Sequence, residues 1–296
     1  MQAVNVKKIK VRKFSWKKIT FGRVLFYLIM IALALFFLLP LIYMVCTAFK
    51  PLDELFLFPP TFFVRHPTMQ NFTDLVATLD SSTVPFTRYI FNSVLVTVAS
   101  VVGTVIVCSM GAFVAEKLSL RGMKLFGQIV TYALMFSVPA GQIPIYIIIN
   151  NMGMLDTYWS LIIPKLATPM YFFLYQQFVS QVPNELLESA KLDGCGNFRI
   201  FMKIVLPMTK AVISTIVVFA FVANWNDSFS ALIYINKQAM KTVPLILNTI
   251  GSGVGTVARA GAQSAAVFIT TLPSILISVL MERNILKAMA YSGIKG

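Results

Sequence analysis

PNELLESAKLDGCGNFRIFMKIVLP, running from Pro183 to Pro207, is a polar stretch lodged between two long apolar segments. Its residues predict two short helices joined at a glycine. Pro183 suits the first turn of a helix, and Glu185 and Glu188 are favourable near its positive end. Leu186, Leu187, Ala190 and Leu192 give that helix an apolar side. Gly194 permits a sharp reversal, and Asn197 is placed to cap a second short helix, Phe198 to Val205. Pro207 then stands where the next apolar segment begins. A compact projection of this kind, set between two membrane crossings, is either a docking surface or a plain connecting loop.

The surrounding chain is built for a membrane. It has 296 residues, 57% of them hydrophobic and only 12% charged, with a mean hydropathy of +0.78. That composition excludes an ordinary soluble domain. A helical span needs about 20 mostly apolar residues. Residues 24–49, 89–115, 125–155 and 260–281 contain no Asp, Glu, Lys or Arg. Residues 157–180 are interrupted only by Lys165, and residues 211–235 only by Asp227. The expectation is an all-α polytopic protein with six transmembrane helices. A closed barrel needs short alternating segments, and the sequence has none.

Basic residues orient these spans. With the N-terminus inside, the inner segments hold eight basic residues from Lys7 to Arg23, then Lys117, Arg121 and Lys124. Lys191, Arg199, Lys203 and Lys210 follow, and finally Arg283, Lys287 and Lys295. Eighteen of the 25 basic residues then lie inside and six outside. Both termini and the 183–207 loop are therefore expected in the cytoplasm. The formal net charge of +14 follows largely from this asymmetry. It suits an anionic inner leaflet and lipid headgroups, with no nucleic-acid partner.

The expected organisation is a basic tail (1–23), a leading helix (24–49), an external segment (50–88), a membrane core (89–283) containing the 183–207 loop, and a C-terminal tail (284–296). The first apolar run is too long for a signal peptide and has no small-residue cleavage pattern after it, so it is expected to be retained. Cys46, Cys108 and Cys195 fall at different depths and cannot easily pair, and no metal-ligand spacing is present. His66 reads as an ordinary loop residue. The run Gly251 to Gly255 reads as a mobile outer loop.

The spacing Glu188-Ser189-Ala190, Gly194, then Ile204, Leu206 and Pro207 resembles the "EAA" loop of ABC-importer permeases, with Ser189 in place of the first alanine. Further stretches resemble the carbohydrate-uptake members, in particular the smaller membrane subunit of the maltose importer. They are Phe58-Pro59-Pro60, Asn71-Phe72, Asn92-Ser93, Pro139 to Tyr146, Gly153 to Trp159, Trp225-Asn226-Asp227 and Gly293 to Gly296.

This resemblance implies a type I importer permease in a bacterial cytoplasmic membrane. Its implied partners are a second homologous permease, two cytoplasmic ATPases, an external solute-binding protein and a carbohydrate, most readily an oligosaccharide. Glu188, Ser189, Ala190, Gly194, Ile204, Leu206 and Pro207 would form the coupling loop on the ATPase. Lys295 and Gly296 would reach towards the same interface. ATP and magnesium would sit on the partner ATPases. This chain, which lacks a G-x-x-x-x-G-K-[ST] phosphate loop, would carry no cofactor and catalyse nothing itself.

Sugar sites use aromatic faces and hydroxyl partners, so Tyr132, Tyr146, Tyr171, Tyr175, Trp225 and Asn226 are candidate pathway residues. Lys165 and Asp227 join them on a depth argument. Each lies about eight residues from the outer end of its span, roughly 12 Å deep at 1.5 Å per residue. A lone charge there is costly, so the two should pair or line a wet path. A competing reading makes them the ion site of a secondary transporter, and another keeps the ABC importer but changes its solute class.

Overall fold

The computed structural model describes residues 21–80, 84–118, 120–136, 138–250 and 259–292. Most of the basic tail, the Gly251 to Gly255 run, Lys295 and Gly296 lie outside the described residues. Among the described residues the regular structure is all helical, with no strand.

Helix α1 (Phe21–Phe49) is followed by a short α2 (Leu52–Leu55) and by α3 (Gln70–Asp80). The long α4 (Phe86–Lys117) leads to α5 (Met123–Ala133) and α6 (Val138–Asn151). Next come α7 (Tyr158–Ile162) and α8 (Pro169–Ser180), separated by a 3-10 turn at Ile163–Lys165. The polar projection holds α9 (Asn184–Leu192) and α10 (Asn197–Ile200), a π-helical turn at Phe201–Val205, and α11 (Leu206–Met208). Then follow α12 (Lys210–Trp225), α13 (Ser228–Tyr234), α14 (Val243–Ile250) and α15 (Ala260–Ser292).

Three of these helices are long and apolar enough to cross a membrane: Val24–Phe49 in α1, α4, and Ala260–Glu282 in α15. A fourth is added if the run Asn197–Met208 and α12, bent by 80° against each other, count as one crossing. The remaining apolar runs are broken, and their residues explain the breaks. The 125–155 run is interrupted after Ala133 and restarts at Val138, with Pro139 in the first turn of α6, where a proline is tolerated. In 157–180 the residue before Pro169 avoids helical geometry: Thr168 is extended at φ −71° and ψ 118° and precedes the start of α8. The 211–235 run breaks at Asn226, where Asp227 caps the next helix by accepting from the Ser230 backbone N–H at 3.0 Å.

A broken helix inside a bilayer must have its freed carbonyls satisfied by neighbours. Helix α4 supplies this for the α7–α8 break. The Thr104 hydroxyl donates to the Lys165 carbonyl at 3.0 Å, and the Cys108 thiol faces the Leu166 carbonyl. Gly103 makes the approach possible, because a Cβ there would sit 2.3 Å from Leu166 Cδ2. Helix α4 is thus the central post, packed against α8 and α12. By contrast, every described side chain of α1 from Phe21 to Leu41 is exposed. A helix apolar all round and uncovered by its own chain is suited to lipid or a neighbouring subunit.

Candidate functional site

The projection at 183–207 rests on one apolar cluster. Leu187 and Ala190 of α9 and Ile200, Phe201 and Val205 pack with Phe113 of α4 and Phe172, Tyr175 and Val179 of α8. Lys117 fixes the approach: its ammonium donates to the Val182 carbonyl at 2.7 Å and to Asn184 Oδ1 at 2.9 Å. Gly194 makes the reversal at φ +79°, a left-handed geometry that costs a residue with a Cβ about 1–2 kcal/mol. Glu188 and Ser189 are exposed, and the Ser189 hydroxyl donates to its own helix at Leu186.

Three details differ from the sequence reading. Pro183 stands at the cap position of α9, one place before the first turn. Gly196, not Asn197, occupies the cap position of α10, and Asn197 makes no capping bond. Leu186 and Leu192, expected on the apolar side, are 43% and 90% exposed. The helix therefore buries only the Leu187–Ala190 edge and leaves apolar as well as acidic groups free. Ile204 and Leu206 are half-buried, and Pro207 is exposed in the last turn before the bend. At that bend the Thr209 hydroxyl sits 2.6 Å from the Tyr175 hydroxyl, both groups buried.

A second constellation lies at the helix breaks. The Lys165 ammonium and the Asp227 carboxylate pair at 2.7 Å. Trp225 packs beside them and donates its indole N–H to the Thr270 carbonyl of α15 at 2.9 Å. Asn226 is exposed and donates to Ser274 Oγ of α15 at 3.1 Å. Lys165, Trp225 and Asp227 line one small cavity of about 10 Å³ with Ser93, Thr97 and Thr242. That is room for about one water.

The aromatic candidates do not gather there. Tyr175 is 0% exposed, with its hydroxyl engaged by Thr209. Its place is the core beneath the projection, because α8 turns it towards α12, and this corrects its assignment to a pathway. Tyr171 packs against that same core. Tyr146 stacks on Tyr234 with centroids 6.3 Å apart. Tyr132 is 62% exposed and lines a different cleft, between α4, α5 and α8.

On the opposite side of the molecule from the projection, α4 holds the connection between α13 and α14. The buried Asn92 amide donates to the carbonyls of Ala239 and Lys241, both at 2.9 Å, and accepts from the Tyr158 hydroxyl at 2.7 Å. Ser93 accepts from the Val243 backbone N–H at 2.8 Å. Asp156, at φ +58°, accepts from the backbone N–H groups of Asn236 and Lys237. The Lys237 N–H above all, with that of Asn236, holds the Asp156 carboxyl below its ordinary value. Sequence reasoning quoted Asn92, Ser93 and Asp156 without giving them a task. A buried amide in an uncharged helix was the available signal, since such groups need partners.

A family model described as the binding-protein-dependent transport system inner membrane component matches residues 13–289. This chain belongs to that family. Protein LplC of Bacillus subtilis is 31% identical over 88% of this chain and 90% of that protein. The polygalacturonan/rhamnogalacturonan transport system permease protein YtcP, also of Bacillus subtilis, is 29% identical over 92% of this chain and 97% of its own length. Among solved structures, a chain from a bacterial ABC transporter involved in the import of the acidic polysaccharide alginate has the same fold. The TM-score is 0.75 at 20% identity, covering 91% of this chain and 98% of that one.

Proposed function

We propose that this member of the family is one of two permease subunits of an ATP-driven importer, and that its cargo is an oligosaccharide. Supporting the cargo are the polygalacturonan/rhamnogalacturonan transport system of YtcP and the importer of the acidic polysaccharide alginate that shares the fold. Counting α5–α6, α7–α8 and α12–α13 as broken crossings, together with α1, α4 and α15, the chain spans a bacterial cytoplasmic membrane six times. Both termini and the α9–α10 projection lie in the cytoplasm.

The observation that carries the reading is the projection itself. It is anchored to α4 and α8 through Lys117 and the Phe113–Phe201 contact at 5.4 Å, yet its Glu188 edge is free. A surface both rigidly mounted and open transmits force to a partner. We assign that partner as a pair of ATPase subunits, which bind ATP and magnesium. Glu188, Ser189, Ala190, Gly194, Ile204, Leu206 and Pro207 form the coupling element, and Lys295 and Gly296 add to the same interface. The segment 50–80 and the 236–243 connection face an external solute-binding protein. Lys165, Trp225, Asn226 and Asp227 stand on the translocation route, whose far wall is the second permease.

The test is affinity purification of the tagged chain from its native membrane, followed by reconstitution into vesicles with the binding protein. Expected are a copurifying ATPase and second permease, and ATP-dependent uptake of digalacturonate or maltotriose. Uptake that persists without ATP but collapses with the ion gradient would replace this reading with a secondary transporter.

A further inference from the structure

A cleft far roomier than the one at the Lys165–Asp227 pair lies elsewhere. It opens between the end of α4, α5 and the second half of α8, with a volume of about 970 Å³, within the range of sites for small organic ligands. Two helices present matching faces to it. Gln128, Thr131 and Tyr132 on α5 follow the spacing i, i+3, i+4, and so do Phe173, Gln176 and Gln177 on α8. Residues so spaced share one side of a helix. The two helices come close at Gly127, where a Cβ would lie 3.9 Å from the Gln176 amide nitrogen.

The polar chemistry of this cleft is only partly used. Gln176 donates to Glu116 Oε2 at 3.1 Å, leaving its own carbonyl oxygen and the second Glu116 oxygen open. The side chains of Gln128 and Gln177 are exposed and make no hydrogen bond among the described residues. These amides belong to otherwise apolar runs. Turned towards lipid they would lack partners, which is costly in hydrocarbon. Turned towards an aqueous cleft they supply donors and acceptors together.

We infer that this cleft is a second sugar station, which holds a hydroxyl-rich saccharide unit on the inner side of the membrane as it leaves. Each glutamine offers a carbonyl acceptor and two N–H donors, the complement of vicinal hydroxyls. The Glu116 carboxylate accepts a further hydroxyl proton. Tyr132 and Phe173 offer ring faces for the apolar side of a pyranose. The inference rests on the oligosaccharide reading given above.

The test uses the reconstituted complex with Gln176→Cys or Gln128→Cys, labelled by a membrane-impermeant maleimide and read at that site by peptide mass spectrometry. Labelling is expected from the side that carries the α9–α10 projection. It should slow at least about threefold when a saccharide transported by the wild type, digalacturonate or maltotriose, is present, and not with equiosmolar glycine. The double variant Gln128→Leu with Gln176→Leu should raise the KM for uptake about tenfold, the loss of about two neutral hydrogen bonds. Retained ATPase copurification serves as the control for folding.

A thiol that never reacts would mean that lipid or the second permease fills the cleft. Labelling indifferent to sugar, or an unchanged KM in a wild type that does transport sugar, would remove the station while leaving the importer reading in place. A wild-type complex that transports no saccharide would overturn both.

Discussion

Lys165 and Asp227, 62 residues apart in the chain, meet at 2.7 Å across two separate breaks in helical runs, each side chain 19% exposed. Asp227 serves twice, because its other oxygen caps α13 at Ser230. The two tasks can be separated. Asp227→Asn keeps a good cap while removing the charge, and Lys165→Met keeps much of the bulk.

Each of these single variants should destabilise the purified complex by about 1–3 kcal/mol, between the values for exposed and fully buried pairs. The double variant should be less damaged than the sum, because no lone charge remains. Thermal unfolding in detergent measures this cycle. Strict additivity would show that the pair contributes nothing as a pair. The exchange Lys165→Asp with Asp227→Lys should restore uptake only in part, since a lysine at 227 cannot accept from Ser230.

At Gly194 the space is open but the backbone is not permissive. A Cβ would touch nothing within 4 Å, yet φ is +79°. Gly194→Val should therefore lose most uptake, Gly194→Ala should cost about 1–2 kcal/mol of local stability, and Gly194→Asn should be the mildest of the three. Glu188→Lys should weaken retention of the ATPase without changing the fold. The amount of ATPase copurifying with each variant is the measurement, and full retention in both Gly194→Val and Glu188→Lys would remove the coupling assignment.

Asn92→Leu should release the 236–243 connection. It deletes the bonds to the Ala239 and Lys241 carbonyls and the acceptor of the Tyr158 hydroxyl. Arg88 still donates to Ala239 and Tyr158, so the Lys241 carbonyl carries most of a loss of about 1–3 kcal/mol. Hydrogen exchange of residues 236–243 should accelerate while that of α9 and α10 stays unchanged. Uniform acceleration would indicate general unfolding.

Glu54 ties the segment between α2 and α3 to itself by accepting from the backbone N–H groups of Arg65 at 3.0 Å and His66 at 2.8 Å. The Arg65 N–H, supported by that of His66, holds the carboxyl below its ordinary value, partly offset by desolvation. The sign follows from linkage. The contribution is complete above the unfolded glutamate pKa of about 4.3 and disappears as pH falls through the lower folded value. Limited proteolysis between Glu54 and His66 should increase in that acid window, and Glu54→Gln should remove the pH dependence.

Much of this was legible in the residues. The proline, acids and glycine of 183–207 predicted the projection, and depth counting brought Lys165 and Asp227 to one level. What failed to show was the direction in which side chains face. Leu186 and Leu192 are as apolar as Leu187, but only the packing of α9 on Phe113 and Phe201 decides which is buried. Tyr175 and Tyr132 look alike in sequence, and α8 turns one into the core while α5 leaves the other on a cleft. Pro169 and Asp227 mark breaks within their own apolar runs, but the groups that satisfy the α7–α8 break, Thr104 and Cys108, come from α4 and could not be read from that run.

The π-helical turn at Phe201–Val205 bears on how the projection is aimed. Such a turn accommodates one residue more than an α-helical one, and one residue corresponds to a rotation of about 100° around the helix axis. Five residues between α10 and α11 thus act as a compass setting for α9. A chain shortened by one residue here would keep Glu188, Gly194 and Pro207 intact and still point them elsewhere. Two permeases with identical motifs but different lengths in this stretch would not be interchangeable parts.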